Sequence, residues 1–305
     1  LMQEVYYGFL NLAKALLVSK RQFSYRALNE KSIFHGLQAD LQENLPLLDY
    51  KIKVFPPQYR LHNNVFAHLY KVITGDKWPF SGGTEISVGD IAGHSQAISS
   101  EWQKLYGVEH ELLAARSLLR STSQKIWYEV LVPKSSSDKL IAHTENWGME
   151  RIDNAEISDT DKSEWLLALR LPARHLMDGD LVRSPVRVTD QDNDLSKTMQ
   201  KVIKDALKYL GCFAIPSLDS DPGFPYWIFV PTINIAGEKL KWHPLLSGYL
   251  ISFALSTILR YQPQILKAGT PNYFIAEGWC SQSSIMVLQY FLMYFTNPPL
   301  HIKTV

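Results

Sequence analysis

The chain has 305 residues, of which 46% are hydrophobic and 12% aromatic, so it is not a disordered polymer and holds enough apolar material for one large domain or two. Lys plus Arg is 31 and Asp plus Glu is 30; the near-zero balance excludes a global field that would draw in nucleic acid or an anionic membrane, and leaves only a local basic patch for such work. The two cysteines, Cys212 and Cys280, are too few for a disulfide framework or a zinc set and fit a reducing compartment, so the expected location is the cytoplasm.

The opening leads straight into an amphipathic pattern, without the layout of a signal peptide. Val5, Phe9, Leu12 and Leu16 recur at helical spacing, with Tyr6, Leu10, Ala13 and Leu17 beside them. So wide an apolar face predicts a helix packed on more than one side. After a polar loop, His35-Gly36-Leu37 is expected to open a short second helix towards Leu41. Lys51 to Phe55 alternates and meets Pro56-Pro57, which reads as a strand. A helix is expected over 64–73, with Val65, His68, Leu69 and Val72 inward. Ser87-Val88-Gly89-Asp90 reads as another helix start, and 96–120 as a long helix.

The middle changes character. Residues 126–132, 165–171 and 226–230 are rich in β-branched and aromatic residues and read as strands, with Ile233-Asn234-Ile235 expected to pair with the last of them. Ser135 to Ser137 reads as a loop, and a helix over 194–210 interrupts the strands. Pro244 suits the first turn of a helix that carries Leu245, Tyr249, Phe253 and Ser256 to Arg260. Its apolar run, 245–259, is shorter than the roughly 20 residues of a membrane span and predicts a buried core helix, so no membrane partner is expected. A loop holding Gly269, Pro271 and Gly278 then precedes a last helix over 285–295, capped by Ser281 or Ser284. The expected fold is therefore α+β, mainly α: a helical N-terminal region (1–123), a small β-rich middle region (124–242), and C-terminal helices (243–305) packing back on the first to form one composite domain.

The block Tyr6-Tyr7-Gly8-Phe9-Leu10-Asn11-Leu12-Ala13-Lys14-Ala15-Leu16-Leu17, followed by His35-Gly36-Leu37, resembles the opening of the bacterial YaaC-like family. His243-Pro244-Leu245-Leu246-Ser247-Gly248-Tyr249-Leu250 and Leu255-Ser256-Thr257-Ile258-Leu259-Arg260-Tyr261 resemble that family's late helix. This resemblance implies a cytoplasmic bacterial or phage-related protein and brings no activity with it. The opening block also resembles the first helical hairpin of HEPN domains, many of which are ribonucleases of toxin–antitoxin and phage-defence systems. That likeness implies an Arg followed within a few residues by His. The stretch Arg170-Leu171-Pro172-Ala173-Arg174-His175 fits the count, but Leu171 replaces a polar residue and Pro172 breaks a helix.

Among single residues, His35 titrates near neutrality and is a candidate for catalysis, against a structural role bonding backbone beside Gly36. Arg260 ends an apolar helix beside Tyr261; its planar fork suits phosphate or carboxylate, against a role complementing the helix dipole or pairing with an acid such as Glu4. Tyr6 and Tyr7 read as core aromatics and Lys14 as a solvated side chain, with Tyr6, Lys14 and Tyr261 as ligand-binding candidates. The Asp178-Gly179-Asp180 and Asp219-Ser220-Asp221 turns complete no calcium loop, and His62, His68 and His94 have no metal-ligand spacing with a Cys, so no metal and no cofactor is expected. No phosphate loop or serine-hydrolase elbow is present. Three functions stay open: a non-catalytic scaffold or partner-binding subunit, with a protein partner or homo-oligomer; a HEPN-like ribonuclease or other nucleic-acid-acting enzyme in antiviral defence; and a nucleotide or small-ligand sensor.

Overall fold

The computed structural model describes residues 2–29, 33–40, 45–59, 62–95, 99–109, 111, 113–121, 126–133, 150–152, 165–170, 212–215, 226–229 and 232–282. The chain divides into two compact units, Leu1–Leu112 with Thr232–Val305, and Leu113–Pro231. It is α+β, mainly α, and the helices dominate the first unit.

In the first unit, α1 (Met2–Ser19) buries Tyr6, Phe9, Leu10, Ala13, Leu16 and Leu17, the face its spacing predicts. It ends where Arg21 turns left-handed and the Gln22 N–H reaches back to the Leu17 carbonyl. A five-residue helix, α2 (Tyr25–Asn29), follows. The helix expected from His35 towards Leu41 does not form over the described residues 35–40. This segment is extended, with β1 (Ile33–Phe34) and β2 (Leu37–Ala39) on either side of Gly36 at φ +82°. A lone helix of two turns is unstable in water, whereas each of these strands finds a neighbour to pair the backbone groups along one edge. Here β2 pairs with β3 (Lys51–Val54), which pairs in turn with β6 (Thr84–Ser87). A second small sheet joins β1 to β5 (His62–Asn64) in parallel and β5 to β4 (Gln58–Tyr59).

Asn64 ties these strands to α3 (Val65–Thr74). Its Oδ1 accepts the Ala67 N–H at 3.2 Å as the helix cap, and its Nδ2 donates to the carbonyls of Phe55 and Pro56. The buried face of α3 is Val65, Phe66, Leu69, Tyr70 and Ile73, rotated from the expected one, so that His68 and Val72 are only half-buried. The start expected at Ser87 is present: α4 (Val88–Ala92) opens on a reciprocal capping box of Ser87 and Asp90.

The long helix expected over 96–120 is a second correction. α5 (Ser99–Tyr106) stops at Gly107, where φ is +67°, and the leucines beyond lie on a strand, β7 (Leu113–Ser121). That strand belongs to the second unit, whose described residues form a six-stranded antiparallel sheet. Its other members are β8 (Ile126–Pro133), β9 (Glu150–Ile152), β10 (Trp165–Arg170), β11 (Cys212–Ile215) and β12 (Tyr226–Phe229), in the order β11-β12-β7-β8-β10-β9. The strands expected at 126, 165 and 226 are therefore present. Ile233-Asn234-Ile235 does not join β12. It lies in β13 (Thr232–Ile235), which pairs with β14 (Glu238–Lys241) in the first unit. The two-residue turn between them, Ala236-Gly237, has φ of +50° and +85°, the primed geometry that suits the twist of a hairpin. The readings at 135–137 and 194–210 lie outside the described residues.

The strand-to-helix junction at Trp242-His243 leads into α6 (Pro244–Tyr261). His243 Nδ1 caps it by accepting the Leu245 N–H at 3.0 Å. Nearly all of α6 is buried up to Ile258, as its apolar run predicts, and no described helix is long and apolar enough to cross a membrane. Residues 271–282 are helical, so Gly278 and Ser281 lie inside a helix rather than in a loop and at a cap; 283–295 fall outside the described residues. This helix docks on α6 through Trp279, whose Nε1 donates to Ser252 Oγ at 2.8 Å.

α1 and α6 form the centre of the first unit. Phe9 meets Tyr249 edge-to-face, Tyr6 meets Tyr249 and Phe253, and Tyr7 reaches Arg260. Tyr7 near the start of α1 meets Arg260 at the end of α6, while Phe9 further along meets Tyr249 further back, so the helices run antiparallel. Within this core the Trp242 indole N–H donates to Ser247 Oγ at 2.8 Å.

Candidate functional site

Towards the start of α1 and the end of α6 the two helices enclose a cleft with β2. Its volume is about 390 Å³. The walls are Tyr6, Tyr7 and Leu10 of α1, Phe253, Ser256, Thr257, Arg260 and Tyr261 of α6, and His35, Gln38 and Ala39 from the strand segment. Four residues singled out from sequence, Tyr6, His35, Arg260 and Tyr261, thus line one cleft although 254 positions separate the first from Arg260.

His35 is placed by Gly36. The left-handed turn brings the Leu37 N–H onto His35 Nδ1 at 3.1 Å, while Tyr249 Oη donates to the His35 carbonyl at 3.5 Å. A Cβ on Gly36 would fall 1.5 Å from Asn64 Oδ1, so only glycine fits. Because Nδ1 accepts a hydrogen bond, the neutral ring carries its proton on Nε2. Burial, with a smaller contribution from the Lys14 ammonium, lowers the imidazole from its usual 6.5 to about 4. His35 is therefore neutral at physiological pH. Lys14 is half-buried on α1 and acts on the site through its charge; it is not part of the cleft wall.

Arg260 differs from the buried cation that its helix suggests. It stands exposed in the last turn of α6; its Nη2 donates to Tyr7 Oη at 3.3 Å and its guanidinium lies 5.9 Å from the centroid of the Tyr261 ring. Those tyrosine contacts raise its pKa further. Among the described residues no carboxylate pairs with it, so the expected link to Glu4 is replaced by a phenol. Tyr7 is not a core aromatic either, being 45% exposed against 5% for Tyr6. The Tyr6 hydroxyl is buried beside that of Tyr249, close enough for each to bear on the other's ionisation, while Tyr249 Oη also donates to the His35 carbonyl. Burial drives the Tyr6 and Tyr249 hydroxyls well above their usual value.

Ser256 and Thr257 lie in the block that resembles the family's late helix but are not site candidates from sequence. Both hydroxyls donate to the Phe253 carbonyl, at 3.0 and 2.8 Å, as mid-helix Ser and Thr commonly do, so towards the cleft they offer only acceptor lone pairs. Arg170, the other arginine candidate, ends β10 opposite Glu129 and Glu150 in the second unit, on a strand and not on a helix. Its companion His175, like the two Asp-rich turns, lies outside the described residues. Among the described residues no three His, Cys, Asp or Glu side chains gather as a metal would require.

Comparison with curated proteins and with solved structures found no match. A family model described as YaaC-like Protein matches residues 4–274, a span that takes in α1 from its third residue on, the His35 segment, the whole second unit and all of α6. With both helices and both walls of the cleft inside that span, the chain belongs to the YaaC-like family.

Proposed function

We propose that this protein is a non-catalytic binding subunit whose α1–α6 cleft takes up a negatively charged group from a ligand or partner. The observation that carries this reading is Arg260: an exposed guanidinium at the edge of an aromatic cleft, held by the Tyr7 hydroxyl, with no acid against it among the described residues. Guanidinium forks bind carboxylate and phosphate in two-point geometry. The remaining groups suit binding better than chemistry. A histidine at about 4 is a weak base at neutral pH and cannot serve there as an acid, and the Ser256 and Thr257 protons are committed to backbone. The exposed rings of Tyr7 and Tyr261 are of the type enriched where proteins meet, which fits a partner or a second copy in the cytoplasm. Calorimetric titration with inorganic phosphate, an acidic peptide and nucleoside monophosphates tests the reading. At least one binds to the wild type and Arg260→Gln abolishes that binding; no binding by any anion overturns it.

A second reading, a ribonuclease or other nucleic-acid-acting enzyme of the defence type, is favoured by one fact: Arg260 and His35 line the same cleft. Incubation with mixed RNA and DNA, with and without magnesium, separates the two. The binding reading expects intact nucleic acid. Cleavage that disappears in both Arg260→Ala and His35→Ala would replace it with the enzymatic one.

A further inference from the structure

The cleft is specific about shape as well as charge. Its walls carry the rings of Tyr6, Tyr7, His35, Phe253 and Tyr261. Tyr6 and His35 flank Phe253 with centroids 5.4 and 5.3 Å away, and Tyr6 and Tyr7 are 5.5 Å apart. Side chains so arranged offer ring faces and edges, to which a flat ring is the complementary insert. The polar pattern is equally defined. The His35 Nε2–H is a donor, since Nδ1 is occupied by Leu37; Ser256 and Thr257 supply acceptors, since their hydrogens are spent on Phe253; and Arg260 supplies one fixed positive charge. At about 390 Å³ the space falls within the range of small-molecule sites, about 300–1,000 Å³.

We propose that the ligand of this cleft is a planar heteroaromatic molecule carrying a single phosphate or carboxylate, with ring donors and acceptors facing Ser256, Thr257 and His35 and its anionic group on Arg260. This rests on the binding reading above and narrows it to one chemical class.

Titration calorimetry on the full chain tests it with four probes: adenosine 5′-monophosphate, indole-3-carboxylate, adenosine and inorganic phosphate. The expected result is that at least one of the two planar anions binds tenfold or more tighter than either the neutral nucleoside or phosphate alone. A preference for the nucleotide assigns a phosphate ligand and a preference for the indole acid a carboxylate; either supports the proposal. Arg260→Gln then loses tenfold or more in affinity for the planar anion, Arg260→Lys retains part of it, and Tyr261→Leu weakens it several-fold. Arg260 and Tyr261 are exposed, so an unchanged melting curve for these variants shows that the fold is intact. Planar anions that bind no tighter than phosphate, or equally well to Arg260→Gln, overturn the proposal. Arg260-dependent binding of phosphate or an acidic peptide without ring preference sinks only this inference; silence from every anion sinks the binding reading with it.

Discussion

At Gly248 the two long helices approach so closely that a Cβ would stand 3.0 Å from Phe9 Cζ, whereas about three turns further along α6, at Arg260, the same helices have a cleft between them. The difference lies in the side chains each end presents. At the closed end glycine accepts the Phe9 ring, which also meets Tyr249 edge-to-face, and both rings are buried. At the open end α6 turns two short hydroxyl residues and an arginine towards tyrosines of α1, and the Gly36 turn props the far wall. A cleft whose walls are carried on two packed helices favours pre-organised binding. The closed end should therefore govern stability and the open end recognition, and substitutions at the two ends should separate those properties.

The largest effect belongs to the closed end. Phe9→Ala removes a ring that is 1% exposed and packed on Gly248 and Tyr249, and the expected loss is about 3–5 kcal/mol by chemical denaturation, as for other buried phenylalanines. A loss below about 1 kcal/mol would mean that the helices are not in this contact. Next comes Asn64→Ala, which removes the α3 cap and strips the Phe55 and Pro56 carbonyls of a buried donor. About 2–4 kcal/mol is expected, from a lost cap and unsatisfied buried groups. Because the Asn64 side chain also packs on Gly36, this variant should loosen the His35 wall, read as faster amide exchange at Leu37.

These two residues also show what was legible in the sequence. α1, β3, α3, α4 and α6 announce themselves by period and by local chemistry such as Pro244 in a first turn, whereas the capping roles of Asn64 and Ser87 emerge from the structure. The His35 segment was misread because a glycine next to apolar residues suits a helix start as well as a turn, and its strand partners, Lys51–Val54, are remote in sequence. β7 was misread because the paired leucines of 112–119 satisfy a helical period and a two-sided strand alike, so cross-strand partners decided the matter. In the site, His35 stands out as a side chain that titrates near neutrality and Arg260 as a cation ending an apolar helix, but their meeting leaves no sign. Contacts such as Tyr7 to Arg260 span most of the chain and leave no local trace.

A smaller effect separates the ends by pH. His35 binds its proton at about 4 in the folded protein against 6.5 ordinarily, so between those values the unfolded chain holds more protons than the folded one. Stability is then complete above about pH 6.5 and falls as pH drops towards 4, by roughly 2–3 kcal/mol from this group. His68, also lowered chiefly by burial, adds a loss of the same sign. Urea melts at pH 7 and 4.5 should show a shallower slope for His35→Phe than for wild type. Equal slopes would mean that the imidazole is not held neutral in this wall.

The smallest expected change in stability is also the most informative. Arg260 is exposed, ends a helix, and touches only two tyrosines among the described residues, so its charge does little for the fold. Arg260→Gln should melt with the wild type, within error, while losing its anion response. If the same substitution lowers the melting temperature by several degrees with no ligand present, the guanidinium is a strut between α1 and α6. The open end would then be a structural joint, and recognition would have to be sought elsewhere in the chain. If it changes ligand affinity and leaves the melt alone, the two ends of one helix pair have divided labour: Phe9 against Gly248 sets how firmly α1 and α6 hold, and Arg260 sets what they hold.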